Sequence, residues 1–190
     1  VALQRGKPIL VSSVSFQTTG AGAEYQRTAP EVPPPESLIS ERQKALETGD
    51  FDDSFPLVTG EDLDVRMVTA VDWHNPRPLP PVLSAWVKTN GSLNQPDAVH
   101  ASLLAYFSDT LLIDVCLAAT GRSYLRDDIQ LASLDHALWF HGSFRADEWL
   151  LHTVEAERVA AGRGLAHGRF YNREGVLVAS ASQQGLMRAR

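Results

Sequence analysis

The sequence has one cysteine, no long apolar run and no excess of basic residues, and each absence excludes a class of protein. Cys116 alone cannot build a disulfide framework within the chain, so a reducing compartment and a cytoplasmic location are expected. No apolar run approaches the ~20 residues that a membrane span needs. A formal net charge of −6 leaves no basic surface with which to replace the counterions of a nucleic acid.

The chain does have the composition of an ordinary soluble domain, with 44% hydrophobic and 21% charged residues over 190 positions. This length is ample for one domain and short for two complete ones. Cys116 lies among apolar neighbours in DVCLAAT, which predicts a buried thiol that packs as a small hydrophobic group.

The first third of the chain combines strand-like and irregular segments. Val1–Gln4 and Pro8–Gln17 predict two strands that turn at Arg5-Gly6. Residues 18–60 have poor periodicity and several prolines, which predicts a linker crossing a surface, with a short helix within 36–48. Because a lone hairpin is marginal in water, the chain is expected to be a fragment or to be completed by another polypeptide.

The remaining two thirds predict one helix between two groups of strands. The helix is expected over Pro96–Gly121, where AVHASLLAYFSDTLLIDVCLAAT is apolar nearly all round, as in a helix buried in a core. The strands are expected at residues 65–73, 82–90, 129–141, 148–157, 162–171 and 176–187, with a hairpin turn at 172–175. This order predicts an α+β domain whose antiparallel sheet wraps the helix.

Residues 131–151, LASLDHALWFHGSFRADEWLL, carry more polar groups than a strand needs in order to fold. Ser133, Asp135 and His136 could form a hydrolase triad, but on one strand His136 would face away from Ser133. The chain also contains no G-x-S-x-G motif. His136 and His141 are five residues apart and would lie on opposite faces, so a metal site is not expected.

Three further polar residues are candidates for a functional role. Asp109 lies in the middle of the predicted helix, where its carboxylate needs partners from elsewhere in the fold or a gap through which it faces solvent. Asp114 is nearer the helix end and is the weaker candidate. Gln183 follows the small residues Ala179–Ser182, which leave room for a water or a carbonyl group that its amide could orient.

Several segments together resemble the type II, TesB-like acyl-CoA thioesterases, which consist of two fused hotdog units. LDHALWFHGSFRADEWLL and GRGLAHGRFYNREGVLVASASQQGLMR resemble the C-terminal half of that family, and YFSDTLL and KTNGSL fit in the same order. QRGKPILVSSVSFQ and AEYQRTAPEVPPPESL resemble the end of the first hotdog and the linker. The resemblance implies an incomplete N-terminal unit over 1–20, a linker over 21–60 and a complete C-terminal hotdog over 61–190.

The resemblance also implies a site and an activity. The family's water-activating residues correspond to Asp109, Ser133 and Gln183, with Ser133 at a position that is commonly Thr. The implied reaction is hydrolysis of fatty acyl-CoA to a free acid and coenzyme A, with no cofactor and no metal, in a homo-oligomer. The alternatives are a hotdog hydratase or dehydratase acting on acyl thioesters, and a non-catalytic module that binds acyl-CoA. The preferred acyl chain length cannot be read from the sequence.

Overall fold

The computed structural model describes residues 1–18, 20–49, 61–126 and 129–189. Within these ranges, a short hairpin of β1 (Ala2–Gln4) and β2 (Lys7–Leu10) precedes a seven-stranded antiparallel sheet. The strands of that sheet are β3 (Leu63–Met67), β4 (Val82–Thr89), β5 (Ile129–Ser133), β6 (Ala137–Phe140), β7 (Leu150–Ala160), β8 (Arg163–Tyr171) and β9 (Leu177–Ala189). Three α-helices, α1 (Glu41–Thr48), α2 (Asp97–Phe107) and α3 (Asp114–Thr120), and a 3-10 helix at Pro35–Ser37 accompany them in the described ranges.

The sheet has the order β3-β4-β7-β8-β9-β5, and β6 also pairs with β9. The β7–β8 connection is a two-residue turn in which Ala161 and Gly162 have φ values of 50° and 71°. This geometry matches the twist of the flanking strands. The hairpin predicted at residues 172–175 is also present, closed by the Gly175 amide donating to the Asn172 carbonyl at 3.0 Å.

The predicted single helix over Pro96–Gly121 is wrong, because the chain forms two helices separated by residues 108–113. Ser108 Oγ donates to the Ala105 carbonyl at 2.7 Å, and Thr110 Oγ1 donates to the Phe107 carbonyl at 2.6 Å. Such bonds occupy carbonyls at the end of the helix. Leu111 then turns the chain with a φ of 70°. The helical part of the domain is therefore two short helices instead of one long one.

The two helices are buried to different extents. α3 is enclosed by the sheet, and its four consecutive residues Val115–Ala118 are all buried. α2 buries only His100, Leu104 and Phe107, a single face at helical spacing, while Tyr106 is 55% exposed. The expectation of a helix buried all round holds for α3 and fails for α2. The buried thiol of Cys116 is confirmed, since its side chain is 0% exposed.

The proline-rich segment lies on the face of the sheet opposite the helices. The Trp86 indole donates to the Pro33 carbonyl at 2.9 Å, and the Arg66 guanidinium donates to the Pro35 carbonyl at 2.8 Å. Trp86 also belongs to a second apolar cluster, which contains Leu151, Tyr171, Ala29, Val32, Leu38, Val68, Trp149 and Leu177. α1 begins at the Ser40 cap and ends at Gly49, within the span where a short helix was expected.

The contact between Gly164 and α3 leads to a prediction about stability. A Cβ at Gly164 would lie 2.7 Å from Cys116 Sγ and 2.8 Å from both Cys116 Cβ and Met187 Sδ. Gly164→Ala should therefore destabilise the protein by about 1–3 kcal/mol, measured by denaturant unfolding, because the helix and strand must separate.

Gly142→Ala is the matched control, since a Cβ there meets nothing within 4 Å. Adding Cys116→Ala to Gly164→Ala should recover part of the loss by removing the sulfur. Equal stabilities for the two single alanine variants would contradict the close-packing explanation.

Candidate active site

The candidate site forms where β9 changes its pairing partner. Residues 185–189 of β9 pair with β5, and residues 179–182 pair with β6. Gln183 lies at the junction, opposite the interruption at residues 134–136. The backbone N–H of Gln184 donates to Asp135 Oδ1 at 2.9 Å, and the backbone N–H of Leu134 donates to the backbone carbonyl of Gln184 at 2.8 Å. These bonds hold the interruption in place.

Asp109, Ser133 and Gln183 meet at this junction in one hydrogen-bonded chain. Ser133 Oγ donates to Asp109 Oδ1 at 3.3 Å, and Gln183 Nε2 donates to Ser133 Oγ at 3.1 Å. Gln183 is 2% exposed, whereas Asp109 and Ser133 are exposed. The chain of bonds thus runs from a buried amide to a carboxylate that solvent or a ligand can reach.

The prediction that Asp109 lies within a helix is wrong, whereas both expectations for its carboxylate hold: Ser133 is a partner from elsewhere in the fold, and the side chain faces solvent. Asp109 is not in a helix, since it follows the end of α2 in the turn that separates α2 from α3. It is exposed to solvent and not buried, which agrees with the alternative that it faces solvent through a gap. An exposed carboxylate avoids most of the desolvation cost that made Asp109 a candidate from sequence.

His136 also belongs to this site, although the alternation of side chains along one strand predicts it on the opposite face from Ser133. Its Nδ1 lies 2.5 Å from Gln183 Oε1, and its Nε2 lies 2.8 Å from Ser108 Oγ. The expectation fails because residues 129–141 do not form one continuous strand, so the alternation of side chains is reset between β5 and β6. The polar run SLDH in the predicted strand was the signal that could have located this interruption.

The other polar residues of this region have structural contacts. Asp135 accepts a backbone bond from Gln184 rather than contacting His136, so Ser133, Asp135 and His136 do not form a triad. His141 Nε2 lies 2.8 Å from Ser180 Oγ, on the other side of the interruption. Among the residues that the structure describes, no group of three or more His, Cys, Asp or Glu side chains could hold a metal ion.

Comparison with known proteins shows the family to which this chain belongs. The family model described as acyl-CoA thioesterase matches residues 73–186, which include β4 to β8, most of β9 and all three residues of the bonded chain. The chain belongs to the acyl-CoA thioesterase family. The match covers more than half of the chain.

Two similar proteins agree with this assignment, and a third shares the fold. Acyl-CoA thioesterase 2 of Haemophilus influenzae is 33% identical over 190 residues, covering 98% of this chain and 66% of that protein. The crystal structure of acyl-CoA thioesterase II TesB2 from Mycobacterium marinum is 33% identical, with a TM-score of 0.70 over 92% of this chain and 60% of that one. A protein from Alicyclobacillus acidocaldarius with a hot dog fold shares 16% identity and a TM-score of 0.64 over 91% of this chain and 59% of that one.

These comparisons confirm the expected α+β hotdog fold, with the correction that its helical part is divided. The chain spans 66% of the length of the Haemophilus relative and 60% of the Mycobacterium structure. Within the described ranges, no helix is both long and apolar enough to cross a membrane.

Two acidic groups on α3 have raised pKa values in this thioesterase-family chain. Burial, with a smaller effect of the Asp109 charge, raises the pKa of Asp114 from 3.8 to about 6. Burial, with a smaller effect of the Asp114 charge, raises the pKa of the Cys116 thiol to about 11. The thiol is therefore protonated at neutral pH, which removes the reactive thiolate form.

His152 is a buried neutral imidazole near the site. It is 1% exposed and stacks on Phe170, with ring centroids 4.0 Å apart. Burial, with a smaller effect of the His136 charge, lowers the pKa of His152 from 6.5 to about 3. Its Nε2 has no hydrogen-bond partner among the described residues. Protonation of His152 therefore opposes folding.

This shift predicts how stability depends on pH. Between about pH 3 and 6.5, the unfolded chain binds a proton at His152 that the folded chain excludes. The free energy of unfolding should therefore fall as pH decreases through this window, by up to about 1.4 kcal/mol per pH unit from this residue.

The comparison variant is His152→Leu, which cannot titrate. Denaturant unfolding of both proteins at several pH values should give curves that converge or cross as pH falls, because only the wild type loses the histidine contribution. Asp114 acts with the opposite sign, since a raised pKa gives stability that is lost as pH rises toward 6, but it is present in both proteins. Parallel curves would contradict the assignment to His152.

Proposed function

We propose that the chain hydrolyses the thioester bond of fatty acyl-CoA, giving a free fatty acid and coenzyme A. The observation that carries this proposal is the bonded chain from Gln183 through Ser133 to Asp109. Membership of the acyl-CoA thioesterase family supports the reaction class and the acyl-CoA substrate.

In the proposed mechanism, Asp109 is the general base. A water held by its carboxylate attacks the thioester carbonyl carbon while the water proton passes to Asp109. The carbon–sulfur bond then breaks, and the leaving thiolate takes the proton back from Asp109. Atoms and charge balance without a covalent enzyme intermediate, a cofactor or a metal. A solvent-accessible carboxylate suits this role because water and substrate must both reach it.

Ser133 and Gln183 orient the base and the water. The Ser133 hydroxyl donates to one Asp109 oxygen, which leaves the second oxygen to accept from the water. The Gln183 amide has two N–H groups, of which one holds Ser133 and the other can hold the water. The family commonly has threonine at the position of Ser133. Serine retains the threonine hydroxyl, so we expect Ser133 to serve in the same role.

The arrangement of His136 disfavours the hydratase alternative. A hydratase of this fold would use a histidine as its acid or base, and such a group needs a ring nitrogen that is open to substrate. Both ring nitrogens of His136 instead contact protein side chains, Gln183 and Ser108. The non-catalytic acyl-CoA-binding module remains the rival that the following experiment distinguishes.

Replacing Asp109 should remove the base and keep the fold. Asp109→Asn is expected to lower kcat for acyl-CoA hydrolysis by about 10²- to 10⁴-fold, the usual contribution of a general base. Release of the coenzyme A thiol measures the rate, circular dichroism checks folding, and calorimetric titration with coenzyme A checks binding.

Two Ser133 variants provide a matched comparison in the same assay. Ser133→Ala, which loses the hydroxyl, should lower kcat by about 10- to 100-fold, whereas Ser133→Thr should stay within a few-fold of wild type. A folded Asp109→Asn variant with near-normal turnover would overturn the mechanism. Coenzyme A binding without thiol release by the wild-type chain would establish the non-catalytic module instead.

We also propose that the chain acts in the cytoplasm as a homo-oligomer. Large apolar side chains around the interruption are exposed: Leu134 at 50%, Trp139 at 52% and Phe140 at 50%. Exposed large apolar side chains are enriched at sites of protein association. Light scattering should give a mass above that of one 20.8 kDa chain, and Trp139→Ser should lower it toward the monomer. A monomer mass for the wild type would contradict the proposal.

A further inference from the structure

His136 connects two buried polar side chains on either side of the candidate site. Gln183, on β9, is 2% exposed, and Ser108, at the end of α2, is 0% exposed. The His136 ring lies between them, with Nδ1 at 2.5 Å from Gln183 Oε1 and Nε2 at 2.8 Å from Ser108 Oγ. A buried amide oxygen without a partner is costly, so the imidazole satisfies a group that solvent reaches poorly.

The direction of every bond in this network follows from the Asp109 carboxylate. An ionised carboxylate only accepts hydrogen bonds, so the single Ser133 hydroxyl hydrogen points to Asp109. Ser133 Oγ must then accept from Gln183, which requires the amide NH2 group on that side. The amide oxygen consequently points to His136 Nδ1, and this nitrogen must carry a hydrogen.

The Ser108 contact is compatible with this state of His136. Ser108 Oγ lies within bonding distance of both His136 Nε2 and the Ala105 carbonyl. With a neutral imidazole, the single Ser108 hydroxyl hydrogen turns from the Ala105 carbonyl to Nε2. With a protonated imidazole, Nε2 donates to Ser108, which in turn donates to Ala105. Nδ1 keeps its hydrogen in both states, so the Gln183 orientation is the same in each.

We infer that His136 is a positioning residue that fixes the orientation of the Gln183 amide through an Nδ1–H donor. Without that donor, the amide can rotate and present its oxygen to Ser133. The Ser133 hydroxyl would then donate to Gln183 in place of Asp109, and the carboxylate would lose its orienting bond. The catalytic consequence rests on the proposed function, whereas the protonation of Nδ1 does not.

The first test reads the protonation of His136 directly. Nitrogen NMR of isotope-labelled imidazole in the full chain, at a pH of about 8 where free imidazole is neutral, distinguishes the two tautomers. The expected result is Nδ1–H for His136, the tautomer that is less populated in free histidine. An Nε2–H tautomer would overturn the inference, and the measurement needs no enzyme activity.

The second test uses two amides that imitate different ring nitrogens. His136→Asn places an N–H near Nδ1, and His136→Gln places one near Nε2. The asparagine variant should keep kcat within a few-fold of wild type. The glutamine variant and His136→Ala should lower kcat by about 5- to 100-fold with little change in KM. His141→Ala is the matched control, because His141 contacts Ser180 outside the network.

The outcomes separate this inference from the proposed function. If the wild-type chain releases no thiol, the proposed function fails while the NMR result still decides the state of His136. If hydrolysis depends on Asp109 but the asparagine and glutamine variants are equally active, the proposed function stands and the positioning role of His136 fails. A His136→Ala variant with wild-type kcat has the same meaning.

Discussion

The site depends on a change of partner along one long strand. β9 is 13 residues long, and neither β5 nor β6 is long enough to pair with all of it. The interruption between those two strands brings Ser133 and His136 to the same buried amide, which a continuous strand would prevent. Gln183 therefore connects a hydroxyl on β5, an imidazole at the start of β6 and, through that imidazole, the end of α2.

Much of the fold could be predicted from periodicity and turn residues. The strands β4, β7, β8 and β9, the hairpin at residues 172–175 and the short helix after the prolines appear within a few residues of their expected positions. These segments are local, and their patterns report local geometry. The α+β architecture follows from their order. The proline-rich segment was expected on a surface, but its contact with Trp86 depends on tertiary packing that no local pattern carries.

The two wrong boundaries have the same physical origin. The hydroxyls of Ser108 and Thr110 donate to backbone carbonyls at the end of α2. The Asp135 carboxylate accepts a hydrogen bond from a backbone N–H of β9. In each case a short polar side chain replaces a regular backbone partner. Apolar residues flank both short polar interruptions closely, so the pattern predicts one long element where the chain forms two. Asp109 and Gln183 were individual candidates from the sequence, but their grouping with Ser133 came from family resemblance because the proximity of the three depends on these interruptions.

The interruption between β5 and β6 also limits which insertions, deletions and substitutions this part of the chain can accept during evolution. β5 ends at Ser133 and β6 begins at Ala137, so residues 134–136 alone set the offset between the two pairings. An insertion or deletion of one residue there would turn the side chains of β6 to the opposite face of the sheet, or move His136 away from Gln183. Substitutions at Leu134 leave this count intact. We therefore expect the length of this segment to vary less among related chains than its composition.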